Sequence, residues 1–416
     1  MKSWFLAFAT AALAVSSVAR PAWAIPAFAR KYRVSCMQCH APVPRLNAFG
    51  EAFGANGYEF AVGEPPRDTV GTGDPLLRLQ NDLPLAIRFD AFARAQTNPA
   101  SGQNTIDFQM PWVIKLLSGG QVTDKVSYYI YFLLAEQGEV AGLEDAYVQF
   151  TDIASSGVSL IAGQFQVSDP LFKRELRLEY EDYQPYRVRV GLTTADLTYD
   201  RGFTALWSPR DGTDLAAELI TGRGLNQASD EGQFDGDDAK STLFRLSQDI
   251  GSLRVGVFGY RGYEVEAGAR NTISMWGPDA TIPLGSVGEL NASFVRRTDV
   301  DPFFSTCTVA TPCPGNVTEP FNTTVNSAFA EAIFWPQGQT GRLFFTALYN
   351  WVDSDQPVVS LGVGEENEGN GFLSRYQSAT GGVHYLFKRN LRMMSEVGWD
   401  FEREQFRFVF GTVLAF

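Results

Sequence analysis

The chain closes on Phe406-Arg407-Phe408-Val409-Phe410-Gly411-Thr412-Val413-Leu414-Ala415-Phe416. Phe406, Phe408, Phe410, Thr412, Leu414 and Phe416 fall on one side of an extended backbone, because side chains of a strand alternate between two faces. The same period recurs upstream. Leu85, Ile87, Phe89 and Ala91 alternate with Arg88, Asp90 and Arg94; Ile106, Phe108, Met110, Trp112 and Ile114 alternate with Asp107, Gln109 and Lys115. Such runs return about every twenty positions from Leu83 onward. A half-buried strand with one apolar and one polar face is the unit of a transmembrane barrel, and also of a soluble sandwich.

The links between runs separate the two. Short links fall at Ser118–Thr123, Pro209–Asp214, Asp249–Ser252, Leu284–Gly288, Pro336–Gly341 and Lys388–Asn390. Longer polar links alternate with them at Gln166–Arg201, Thr221–Lys240, Arg261–Arg270, Val300–Asn322 and Val352–Gly371. Short turns on one side and long loops on the other are how outer-membrane barrels are built. Arg187–Thr198 is the weakest run and is assigned to a long loop. The expected fold is therefore all-β: a transmembrane antiparallel outer-membrane β-barrel of about 16 strands, spanning residues 76–416. An even strand number places both termini on the periplasmic side. A terminal aromatic residue in an alternating strand resembles the C-terminal signal of bacterial outer-membrane proteins.

Composition agrees. Apolar residues make up 45% of the chain and 32 are Phe, yet no stretch after the N-terminus reaches the roughly 18 apolar residues a membrane helix requires. Barrels spread their hydrophobicity by alternation, so a hydropathy window misses it. A net charge of −13 argues against a nucleic-acid partner. Lys2, the apolar run Trp4–Val15 and Ala22-Trp23-Ala24 read as a secretory signal cleaved before Ile25, so residues 1–24 are expected to be a signal peptide. Cys307 and Cys313 flank a Pro-containing loop, and in an exported chain they are most simply a small disulfide.

Cys36-Met37-Gln38-Cys39-His40 carries the chemistry. C-x-x-C-H is the attachment signature of c-type haem: two thiols add to the two vinyl groups, and the adjacent imidazole ligates the iron. Zinc wants four ligands and only three are local. A redox-active dithiol needs no histidine. The expected cofactor is one covalent haem c on Cys36 and Cys39, with His40 as axial ligand. Pro44 marks a possible helix start, Leu46, Phe49 and Phe53 follow at helical spacing, and Gly54, Gly57 and Pro65-Pro66 end the element. Residues 25–75, a small and mostly helical haem segment, are too few for an independently stable core, and the next methionine after Met37 is Met110. A single haem tethered outside cannot bridge an apolar band about 25 Å tall, so the segment is expected to fold into the barrel lumen as a plug.

The second axial site stays open between three readings. His384, the one other histidine, alternates with Val383, Tyr385 and Phe387 and so points into the lumen. Met394 shares that face with Arg392, Glu396 and Asp400 on the next strand. The third reading leaves the site open or filled by another group. Lumenal Arg88, Asp90, Arg94, Arg392, Glu396 and Asp400 are expected to pin the plug by paired charges. Asp230, Glu231, Asp235, Asp237 and Asp238 crowd one long loop, and Asp353, Asp355, Glu365, Glu366 and Glu368 another. They form either a solvated surface, a structural calcium site or a field that concentrates divalent cations. No nucleophile constellation is apparent, since His40 is committed.

Pro26-Ala27-Phe28-Ala29-Arg30, then C-x-x-C-H, then Pro44-Arg45-Leu46-Asn47-Ala48-Phe49-Gly50, then a barrel ending in Phe416: this order resembles the fused cytochrome–porin family, whose best-known members are outer-membrane iron oxidases. Leu143–Phe150 and Gly163–Pro170 are also similar to general porins. The resemblance implies electron transfer across the outer membrane through one haem. Its implied partners are extracellular Fe(II) or another redox partner, a periplasmic c-type cytochrome or similar carrier, and outer-membrane lipid. The alternatives are electron export to an external acceptor, or a solute porin with a haem-based gate or sensor.

Overall fold

The computed structural model describes residues 27–60, 69–70, 72–74, 76–77, 79–80, 84–97, 102, 104–266, 268–306, 321–361 and 372–416. The expected signal peptide 1–24 and the Cys307–Cys313 pair lie outside the described residues.

Sixteen strands close into one antiparallel barrel: β1 Leu85–Gln96, β2 Thr105–Thr123, β3 Val126–Glu136, β4 Gly142–Phe150, β5 Val158–Gln166, β6 Tyr199–Arg210, β7 Thr213–Ile220, β8 Ser241–Ile250, β9 Leu253–Glu266, β10 Ala269–Pro283, β11 Gly288–Val300, β12 Asn322–Phe334, β13 Leu343–Ser354, β14 Arg375–Lys388, β15 Leu391–Asp400 and β16 Gln405–Ala415. Each pairs with its neighbours in chain order, and β16 closes on β1 in a register running from Arg407↔Gln96 to Ala415↔Arg88. Closure satisfies the backbone of every strand without leaving an edge, which a hydrocarbon environment demands. No helix among the described residues is long and apolar enough to cross a membrane.

The alternation sorts as expected. Phe406, Phe408 and Phe410 are 39–43% exposed on the outer wall, whereas Val409 between them is fully buried. Ile106, Phe108 and Met110 also face outward. The four longest connections, 167–198, 221–240, 301–321 and 355–374, all open on one side, and the ends of the barrel lie on the other. Two expected links are strand instead. Ser118–Thr123 belongs to β2, and the turn is only Asp124–Lys125. The glycines there are not turn residues: a Cβ on Gly119 would meet the Phe28 ring at 3.1 Å, so the wall is thinned where another element leans on it. Arg261–Arg270 is likewise mostly strand, because β9 and β10 pair as far as Glu266↔Ala269.

The lumen is filled rather than empty. Loop 167–198 folds inward, and Val167, Leu178 and Val190 are fully buried. Tyr183 stacks on Phe329 of β12 at 4.3 Å between centroids and donates to Glu331 at 2.7 Å. Tyr186 hydrogen-bonds Ser293 of β11 at 3.0 Å. The backbone amides of Tyr180 and Glu181 donate to the Glu396 carboxylate. Toward the long-loop mouth, Arg189–Val190 pairs with Val359–Ser360, and Val188, Phe303, Val352 and Leu361 pack around that ladder.

Residues 27–60 lie against the inner wall at the short-turn end. They hold helix α1 (Ala27–Tyr32), a 3-10 turn (Cys36–Gln38) and helix α2 (Ala48–Ala55); Thr69–Val70 and Leu79–Gln80 form a small ladder further on. The segment is thus less helical than expected. α2 starts at Ala48 rather than at Pro44, because Ala41 N–H donates to the Arg45 carbonyl and His40 bridges to Leu46, committing 44–46 to a back-folded turn. Arg45 anchors the segment by reaching Glu289 at 2.7 Å and Glu331 at 2.9 Å. Gln149 of β4 donates to the Ala55 carbonyl at 2.7 Å, and Tyr58 stacks on Tyr129 and shares a 2.8 Å hydroxyl contact with Tyr147.

Candidate haem-binding cavity

The C-x-x-C-H stretch is a tight turn. The Cys36 carbonyl accepts from Cys39 N–H at 3.2 Å and His40 N–H at 2.9 Å, so the two thiols and the imidazole leave one short loop. Both cysteines are free thiols. Asn47 ties this loop to α2. Its Oδ1 caps the helix by accepting from Gly50 N–H at 2.9 Å, while its Nδ2 donates to the Met37 and Gln38 carbonyls at 3.4 and 3.2 Å. Asn47 N–H donates to the Cys39 carbonyl as well.

His40 is oriented for ligation. Its Nδ1 lies 2.6 Å from the Pro44 carbonyl, and a carbonyl only accepts, so Nδ1 carries the proton and the Nε2 lone pair is left for a metal. Burial pushes its pKa below the ordinary histidine value, which keeps the ring neutral, as a ligand must be. Burial raises both thiols.

These groups border a cavity of ≈310 Å³ within the barrel. That is the size range of small-molecule and cofactor sites. Phe28, Tyr32, Leu46, Phe53 and Phe60 of the segment wall it on one side, and Tyr129, Tyr131, Tyr147 and Val413 of the barrel on the other. Around its rim Arg88 donates to both oxygens of Asp90 through Nε and Nη2, and Lys173 reaches Glu51 at 3.4 Å. Asp169 is pushed up to about 6 by burial, which outweighs the opposing effect of Lys173. Burial would raise Glu175 too, but Lys115 and Arg177 prevail and hold it at about 2. Two thiols and a tautomer-fixed imidazole on the wall of a mostly apolar cavity suit a covalently attached tetrapyrrole.

Cys36, Cys39 and His40 are therefore brought together; His384 and Met394 are not among the residues lining the cavity. His384 is buried in the β13–β14 wall with Nε2 3.0 Å from Thr346 Oγ1. Met394 packs on Phe92 and Val409. His40 is the one imidazole on the described cavity wall, and no methionine lines it. The lumenal charges also act differently from expectation. Arg88 and Asp90 pair with each other and Glu396 holds loop 167–198, while the pin on the N-terminal segment is Arg45. Arg45 is not near its partners in sequence, so periodicity gave no sign of it. Of the acidic loop, Asp235 is engaged by Lys240 at 2.7 Å, and no group of three His, Cys, Asp or Glu among the described residues is arranged to hold a metal ion.

Gly50 yields a prediction. A Cβ there would sit 2.2 Å from the Cys39 carbonyl oxygen, a backbone atom that cannot step aside. Gly50→Ala should push α2 off the attachment loop at a cost of about 1–3 kcal/mol. The expected result is faster proteolysis of residues 27–60 in an intact barrel; an unchanged digestion pattern would contradict this packing.

No known protein family's sequence profile matches the chain, and no curated protein matches it. Solved structures do. The anion-selective porin from Comamonas acidovorans superposes with TM-score 0.54 at 10% identity, covering 80% of this chain and 99% of its own. The outer membrane channel DcaP of Acinetobacter baumannii gives 0.54 at 12%, covering 80% and 97%. OmpT of Vibrio cholerae gives 0.51 at 10%, covering 81% and 99%. At such identities the likeness is one of fold. The chain is a closed, 16-stranded antiparallel β-barrel with a porin-like fold.

Proposed function

We propose that this barrel is an outer-membrane cytochrome–porin that carries electrons across the membrane. Haem c, bound through Cys36 and Cys39 with His40 as axial ligand, supplies the one-electron chemistry. The observation that carries the reading is His40, with its Nδ1 proton fixed by the Pro44 carbonyl beside two free thiols on an apolar cavity wall. The chain's own residues do the rest. Asn47 and Gly50 hold the attachment loop on α2, Arg45 fastens that unit to β11 and β12, and loop 167–198 excludes bulk water from the middle of the lumen. In the proposed orientation the short-turn end and both termini face the periplasm. Electrons enter from extracellular Fe(II) and leave to a periplasmic c-type carrier.

Mixing the purified oxidised protein with ferrous iron should produce reduced haem bands within seconds to minutes. No reduction over hours, or a midpoint potential far below that of ferrous iron, removes iron as donor and favours electron export. A second reading, a solute porin whose haem gates or senses, is favoured by the barrel shared with channel proteins. Against it stands an aromatic cluster in the middle of the lumen, with Tyr183 stacked on Phe329 and Tyr186 edge-on to the same ring.

A further inference from the structure

The cavity beside Cys36 is electrically lopsided. On the β4 and loop 167–198 side its cation, Lys173, is matched by Glu51. Where β14 turns into β15, two guanidiniums line the same cavity, and among the described residues neither forms an ion pair. Arg389 donates only to the Gly341 and Thr340 carbonyls, at 3.1 and 2.8 Å. Arg392 is 4% exposed; it donates to the Leu178 carbonyl at 2.9 Å, and its Nε has no hydrogen-bond partner among the described residues. Neighbouring Arg88 does not share this state, since Asp90 takes it in a two-point pair. Arg389 is half-buried; Arg392 is buried with Asp90, Glu179 and Glu396 in its surroundings but none of them paired with it, and a buried cation without a paired counter-ion is strongly unfavourable, so the site suits an anion. The planar fork of a guanidinium matches a carboxylate.

Resting on the haem reading above, we infer that Arg389 and Arg392 receive the two propionate carboxylates of the attached tetrapyrrole, and so fix which edge of the ring points toward the β14–β15 turn. The vinyl edge then falls to Cys36 and Cys39, and the carboxylate edge to the one unneutralised cationic part of the wall. Both arginines are positioning residues. Their positive charge disfavours the oxidised, more positive cofactor, and thereby raises its potential.

The test uses purified holoprotein and the variants Arg389→Gln, Arg392→Gln and Arg392→Lys. Each is checked for an intact barrel by heat-dependent gel mobility and for covalent haem by peroxidase staining. Haem is expected to stay attached in all of them. The midpoint potential should fall in both Gln variants, by about 59 mV for each tenfold shift of the one-electron equilibrium. The propionate bending band of the resonance Raman spectrum should move as well. Arg392→Lys should restore most of the potential, which a role confined to holding Leu178 would not require. Attached haem with an unchanged potential and Raman band in both Gln variants overturns this assignment alone. The same outcome would follow if the arginines held free phosphate. A wild-type protein without covalent haem overturns the haem reading, and this inference with it.

Discussion

Replacing Cys36 and Cys39 together by serine is expected to abolish covalently bound haem while leaving the barrel folded. Serine keeps the size and hydrogen-bonding ability of the side chain but cannot form the thioether. The two thiols are the only cysteines among the described residues, so no other described side chain can substitute. The barrel should not register the change. Its sixteen strands are held by their own ladders, and the segment 27–60 meets the wall through Arg45, Tyr58 and Ala55 rather than through the sulfurs. On a denaturing gel the wild type should stain for haem peroxidase activity and the double variant should not, at equal protein and equal heat-dependent mobility. A wild-type band that never stains would end the cytochrome reading. His40→Ala should retain the thioethers but lose the axial nitrogen that the Pro44 carbonyl holds in place, and so shift the Soret and visible bands of the attached haem.

The second large effect concerns leakage. An unobstructed barrel of sixteen strands leaves an aqueous channel. Here two bodies occupy it. Loop 167–198 is pinned by Tyr183 on Glu331, Tyr186 on Ser293 and Glu396 on the Tyr180 and Glu181 amides. Residues 27–60 are pinned by Arg45. Liposomes carrying the whole protein should swell slowly in small sugars. A chain lacking residues 27–60, with loop 167–198 replaced by a short turn, should swell faster by roughly tenfold or more, as expected for an open lumen of this strand number. Removing either body alone should give a smaller change, because the other remains. Brisk sugar uptake by the intact protein would favour the solute-porin reading over the electron conduit.

Much of this was readable from the chain because its signals are local. Alternation in runs such as Phe406–Phe416 is a property of neighbours in sequence, and it separates lipid-facing Phe408 from lumenal Val409 without any tertiary knowledge. The attachment motif is equally local, since Cys36, Cys39 and His40 share a single turn. Signals that mix two causes were misread. Gly119 looks like a turn residue, yet it thins a strand against Phe28; 261–270 looks like a loop because polar residues there serve the strand ends.

The sequence by itself determined the period of the strands, the alternation of long and short connections and the thiol–imidazole unit, because each follows from covalent spacing along the backbone. Only the tertiary structure decided what stands inside the barrel. Arg45 finds Glu331, 286 residues away, and Arg392 comes to the same cavity as Cys36 without an ion pair among the described residues. His384, in contrast, faces the lumen as its alternation demands and still stops at Thr346. Facing inward is fixed by the pleat of one strand. Reaching the cavity depends on how far along the barrel axis each strand is shifted against its neighbours and on how loop 167–198 fills the space between, and neither quantity is written in any local stretch of residues.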